Sequence, residues 1–172
     1  MYEEVVLVNE NDEEIGFMEK LEAHQKGLLH RAFSVFLFNE KNELLLQQRA
    51  FSKYHSAGLW TNTCCSHPRK NEPVLAAANR RLQEEMGIGS TLTIKNKFIY
   101  HAPFDNGLTE HELDYILTGF YSGAVAFNTD EVAAYKWVSL PDLVTDCANN
   151  PEHYTVWFKH ILNNHLQEIS VL

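Results

Sequence analysis

The stretch Ser66–Ile88, SHPRKNEPVLAAANRRLQEEMGI, decides the fold. Pro73 takes a first-turn position, the interior is alanine-rich and Gly87 supplies a stop, so the pattern predicts a helix over Pro73–Met86. Val74, Ala78 and Leu82 line its apolar side, while Arg81, Glu84 and Glu85 fall three and four positions apart and share another. On a solvated face they form the pairs Arg80–Glu84 and Arg81–Glu85. However, Arg placed N-terminal to Glu is the poorer orientation, and two carboxylates in the last turn oppose the helix dipole by about 0.3–1 kcal/mol each. A divalent cation that compensates them makes sense of the arrangement.

Working outward, Glu4–Val8 and Ile15–Met18 read as strands around a turn at Asn9–Glu13, and Ala32–Phe38 with Leu44–Gln48 as a hairpin about Asn39–Asn42. A short histidine-bearing connection, Leu21–His30, separates the two pairs. Beyond the central helix, Leu92–Tyr100, Leu113–Tyr121 and Ala133–Val138 read as strands, then Pro141–Cys147 and Tyr154–His165 as helices. Strands on both sides of one helix, with helices at the end, predict an α/β (α+β) chain: a mixed β-sheet sandwiched between helices. No repeat, low-complexity tract or Pro/Gly-rich linker breaks the pattern, so residues 1–172 are expected to form one domain.

Composition narrows the function. A formal net charge of −9 disfavours nucleic acid or an anionic membrane as partner, so an anionic substrate needs bound cations or local basic residues. No apolar run approaches a bilayer span, and the acidic start MYEEVVLVNENDEE lacks the pattern of a signal peptide, so a cytoplasmic location is expected. Cys64, Cys65 and Cys147 make a poor disulfide framework.

Three further clusters could carry chemistry. In Glu110-His-Glu112 the strand period puts both glutamates on one face about 6.6 Å apart, as metal ligands or as charges that keep an edge strand soluble. His24, His30 and His67 lie near predicted turns or strand ends; taken singly, each is more often a hydrogen-bonded residue than a ligand. The turn-rich stretch Trp60–Pro68 brings two thiols near His67, where a cation lowers a thiol's pKa, although free cysteines are commonly just packed. Packing is the reading for Cys147.

Together, Ser66-x5-Glu72-x7-Arg80-Arg81-Leu82-x-Glu84-Glu85-x-Gly87-Ile88 resembles the Nudix box, a loop-helix unit that binds a metal on a diphosphate. Ser66 stands for the box's first glycine, and Arg81 for the glutamate that hydrolases use to support water attack. With Glu19-Lys20, His24, His30-Arg-Ala-Phe-Ser, Arg49-Ala-Phe-Ser-Lys53, Trp60-Thr-Asn, Cys65-Ser-His67-Pro, Tyr100, Glu110-x-Glu112 and Trp157, the chain resembles the type I isopentenyl-diphosphate isomerases. The resemblance runs from Glu19 to Trp157 and departs in one place, His24 and His30 standing one residue closer than the family pattern.

The resemblance implies a Nudix-like fold and a 1,3-proton shift from isopentenyl to dimethylallyl diphosphate through a tertiary carbocation. It implies that His24, His30, His67, Glu110 and Glu112 bind one Mn²⁺, Mg²⁺ or Zn²⁺. By the same likeness Glu85 holds Mg²⁺ on the substrate's diphosphate, whose oxygens meet Lys20, Arg49, Lys53 and Arg81. Cys65 and Glu112 would face the alkene from opposite sides as acid and base, Tyr100 would hydrogen-bond beside Glu112, and Trp157 would stabilise the cation. Cys65 is chosen over Cys64 because it completes the Cys-x-His motif. Expected partners are this small-molecule substrate alone, with no nucleic acid and no membrane; oligomeric state is not readable, a monomer being favoured. The alternatives are a Nudix-type diphosphate hydrolase and a catalytically silent metal-binding domain.

Overall fold

A computed structural model describes residues 3–170. The strands are β1 Glu4–Val8, β2 Glu14–Glu19, β3 His30–Phe38, β4 Glu43–Arg49, β5 Trp60–Thr61, β6 Cys64–Ser66, β7 Thr93–Pro103, β8 Thr109–Phe120 and β9 Val132–Ser139. The helices are α1 Lys20–Lys26, α2 Val74–Met86, α3 Leu140–Asn149, α4 Val156–Asn164 and α5 Leu166–Ser170. All nine strands join one sheet with β3 as its axis. β3 runs parallel to β8 from His30↔Glu112 to Phe38↔Phe120, and antiparallel to β6 from Phe33↔Ser66 to Val35↔Cys64.

β3, HRAFSVFLF, is apolar along most of its length because both faces are covered. Its period of two sends Phe36 and Phe38 toward α3 and α4, and Phe33, Val35 and Leu37 toward α2. β4 repeats the division, Leu44 and Leu46 on one side and Leu45 on the other. The expected mixed sheet between helices is therefore present, with a core on each face. Ala77, Ala78, Leu82 and Met86 are the buried apolar positions of α2, the two alanines being small enough for close approach to the sheet. Gly87 ends α2 at φ 66°, and a Cβ there would stand 2.5 Å from the Ala126 carbonyl oxygen, so no larger residue fits.

Three expectations need correction. The Leu21–His30 connection contains α1, whose N-terminus is capped by the Glu19 carboxylate accepting from Leu21 N (3.0 Å) and Glu22 N (2.9 Å). Seven residues are too few to show a convincing helical period. The β3–β4 hairpin meets at Phe38↔Leu44, after which β3 takes β6 and β8 as neighbours, a choice that no local pattern announces. The Trp60–Pro68 stretch holds the short strands β5 and β6, which pair with β4 and β3.

Candidate active site

The parallel register of β3 with β8 sets His30 beside Glu112. Both Glu110 and Glu112 face inward on β8 and are buried. His24 arrives from α1 and His67 from just beyond β6. The ring centroids of the three histidines lie 4.8 Å (His24–His30), 5.1 Å (His30–His67) and 5.7 Å (His24–His67) apart. Despite its short spacing to His30, His24 is therefore in the cluster; α1 stops early at Gly27, which adopts φ 65°.

Backbone carbonyls fix the ring orientations. His24 Nδ1 donates to Lys20 O (2.6 Å) and His30 Nδ1 to Leu28 O (2.8 Å), which leaves Nε2 of each ring as the nitrogen available to the cluster. Ligand atoms of His24, His30, His67 and Glu112 all lie within 4.8 Å of one another. Nε2 of His24 stands 3.3 Å from Glu110 Oε2, and that of His67 3.6 Å from Glu112 Oε2. The Nε2 atoms of all three histidines and Oε2 of Glu110 are buried without a hydrogen-bond partner. Unpaired buried polar atoms are costly, and the grouping of the three imidazole nitrogens with Glu112, with Glu110 beside His24, is what a divalent cation fits. Burial and the neighbouring Glu110 carboxylate push Glu112 well above the usual carboxylate range. Burial and the imidazolium-disfavouring neighbour His24 lower His30 to about 4, leaving it neutral, as a ligand must be.

Beside this cluster a cavity is lined by Cys65, Tyr100, Glu110, Glu112 and Trp157, and by Lys20, Arg49, Lys53, Arg81 and Glu85. Cys65 donates its thiol hydrogen to Asn62 Oδ1 (3.0 Å) and accepts from Trp157 Nε1 (3.1 Å). Burial, with Asp114 and Glu85 nearby, pushes this thiol up to about 12, so it keeps its proton at neutral pH. Tyr100 Oη donates to Glu112 Oε1 (3.4 Å). The indole of Trp157 belongs to the buried core and also to the cavity wall, with the Arg49 guanidinium 5.2 Å from its centroid.

The pairs Arg80–Glu84 and Arg81–Glu85 both form, at 3.4 and 2.6 Å. Glu85 also accepts from Gln47 Nε2 (2.9 Å), and is buried rather than solvated. Lys20 pairs with Glu3 (3.2 Å) and Lys53 with Glu131. Cys64 packs on the α2 side of the sheet, away from Cys65, and Cys147 packs against the core under α3 and α4. Every site residue expected from sequence thus meets at one place. Missed were Asp114, a buried cavity-lining carboxyl that accepts from Ser34 Oγ (2.8 Å), and His55. Extending the period of two beyond Glu112 reaches Asp114; nothing in the spacing marks His55.

Comparison with known proteins agrees. The NUDIX domain family matches residues 28–158. The chain is 53% identical, over 95% of its length and 92% of the relative's, to "Isopentenyl-diphosphate Delta-isomerase 2" of Photorhabdus laumondii subsp. laumondii. It is 49% identical to "Isopentenyl-diphosphate Delta-isomerase" of Aliivibrio fischeri, covering 99% of this chain and 100% of that one. Among solved structures, a Deinococcus radiodurans protein aligns with a TM-score of 0.78 at 18% identity, covering 94% of this chain and 98% of that one, a likeness of fold. No helix among the described residues is long and apolar enough to cross a membrane.

Proposed function

The chain belongs to the Nudix family and, within it, to the isopentenyl-diphosphate Delta-isomerases, an enzyme family that turns isopentenyl into dimethylallyl diphosphate, and we propose how its cavity performs that step. The observation that carries the reading is the meeting, in one cavity, of the Cys65 thiol with the Glu112 carboxyl, which stands among buried histidine nitrogens that have no hydrogen-bond partner. The five-carbon tail lies between Cys65 and Glu112. One of them adds a proton to the terminal CH₂ carbon, which leaves a tertiary cation at C3; the other removes a proton from C2, and that C–H electron pair becomes the new C2=C3 bond. Tyr100 orients Glu112 by its hydrogen bond, and Trp157 presents its ring to the cationic carbon.

His24, His30, His67 and Glu112, joined by Glu110 beside His24, would hold one divalent ion, Mn²⁺, Mg²⁺ or Zn²⁺ suiting nitrogen and oxygen ligands together. That ion supplies positive charge which tunes the acidity of Glu112. At the cationic end, Lys20, Arg49, Lys53 and Arg81 would bind the diphosphate, with Glu85 placed for a Mg²⁺ it brings. Such local charge lets a chain of net charge −9 accept an anion. Residues 1–172 would act as one catalytic domain.

The test is incubation of the purified chain with isopentenyl diphosphate and Mg²⁺, product being followed by NMR, in parallel with nucleoside diphosphate derivatives. Isomerisation without phosphate or nucleotide release is expected. Hydrolysis of a nucleotide substrate with no isomerisation would replace this reading with the hydrolase one.

A further inference from the structure

One side chain of the cavity has no part in the chemistry above. His55 sits between β4 and β5 on a loop tied down by Gly58 N to Arg49 O (3.1 Å), Arg49 N to Leu59 O (2.9 Å) and Gln48 Nε2 to Gly58 O (3.0 Å). Arg49 Nη2 donates to the His55 carbonyl itself (3.3 Å). The imidazole is buried, stacked on Phe104 at 5.3 Å and edge-on to Trp157 at 5.9 Å. Its Nε2 lies 3.2 Å from Glu110 Oε1 and its Nδ1 3.2 Å from Ser56 Oγ. A hydroxyl donated to Nδ1 leaves the ring hydrogen on Nε2, aimed at the carboxylate. Ser56 reaches this position with φ 53°, a left-handed conformation uncommon for serine.

We infer that His55 is a positioning residue of the metal centre: its Nε2–H holds Oε1 of Glu110, so that Oε2 stays turned toward the three imidazoles. The inference rests on the metal-site reading given above. Two observations make His55 an orienter rather than a further ligand. Oε2, the oxygen facing His24, is the one left buried without a partner. The His55 ring also stands 6.0 Å from that of His24, farther than His30 or His67, and although His55 groups with His24 and Glu110, it takes no part in the grouping of His24, His30, His67 and Glu112. Orienting partners of metal ligands typically change affinity by about 10- to 100-fold when removed.

The experiment is titration of the metal-free full chain with Co²⁺, read by its visible absorption bands, for wild type, His55→Phe, His55→Gln and His30→Ala. Phenylalanine keeps the stack on Phe104 and removes the donor; glutamine restores an N–H. Expected are a roughly 10- to 100-fold weaker first equivalent and shifted bands in His55→Phe, with most of the affinity recovered in His55→Gln. Near-UV circular dichroism checks the fold, and Ser56→Ala, which leaves His55 in place but frees its tautomer, should weaken binding in the same direction. Wild-type affinity and bands in His55→Phe would overturn the inference alone. So would a loss as complete as in His30→Ala without rescue by glutamine, which makes His55 a ligand. Wild type that binds no Co²⁺ sinks the metal-site reading, and this inference with it.

Discussion

Replacing Trp157 by phenylalanine keeps an aromatic ring in the core and removes two things from the cavity. The first is the indole N–H donated to Cys65 Sγ at 3.1 Å, a bond worth about 0.5–1.5 kcal/mol. The second is part of the π-face offered to the cationic carbon, where tryptophan is the best of the aromatics and a desolvated contact is worth about 2 kcal/mol, of which a benzene ring keeps roughly half. The two losses sum to about 2 kcal/mol of transition-state stabilisation, or roughly 30-fold in kcat. KM should move less, by no more than about fivefold, because the indole meets the diphosphate end only through the Arg49 guanidinium at 5.2 Å. Initial rates across substrate concentration at saturating Mg²⁺ separate the two constants. An unchanged kcat with a raised KM would reduce Trp157 to packing and the placement of Arg49.

Cys65→Ala and Glu112→Gln should each lower turnover by at least about 10²–10⁴-fold while the far-UV spectrum and substrate affinity persist, and wild-type rates in either would remove that residue from acid–base work. Chelation should stop isomerisation and lower the melting temperature by roughly 5–10 °C, as expected for losing an ion present at about a hundred times its Kd; full turnover and an unchanged melt after verified metal removal would contradict the metal centre. Asp12 binds Arg31 (2.8 Å), Lys97 (3.2 Å) and Tyr115, joining the β1–β2 turn to β3, β7 and β8. Burial works against its charge, but the hydrogen bonds from Tyr115, Arg31 and Lys97 outweigh it and hold Asp12 below the usual carboxylate range. The unfolded chain therefore binds that proton at higher pH than the folded one, so this stabilisation is complete above the unfolded pKa and disappears as pH falls through the folded value. Asp12→Asn should flatten the acid limb of a stability-against-pH curve, and an acid limb identical to wild type would show that the contacts carry none of it.

The sheet was legible because β3 and β4 alternate residues between two cores and α2 carries both a proline start and a glycine that its surroundings require. What could not be read were choices made by distant partners. The parallel union of β3 with β8, which puts His30 beside Glu112, spans the chain from one half to the other and has no local signature. α1 is too short to show a period, and it ends at Gly27, between His24 and His30. The residues proposed for the metal and the diphosphate came from the chain's resemblance to the isomerase family, since taken singly each histidine reads as an ordinary hydrogen-bonded residue. Asp114 lay one step along a period already in use, whereas His55 gains its place only from the loop that folds it over Glu110.

Isomerisation as proposed needs a gap, one prenyl tail wide, between the Cys65 thiol and an ion-anchored Glu112. Anomalous diffraction at the manganese edge, from crystals soaked with Mn²⁺ and a saturated, unreactive five-carbon diphosphate, examines it in one map. Expected is a manganese peak among His24, His30, His67, Glu110 and Glu112, with the hydrocarbon tail lying between Cys65 Sγ and the Glu112 carboxylate. A peak elsewhere, or a tail with both groups on one side of it, would contradict the account.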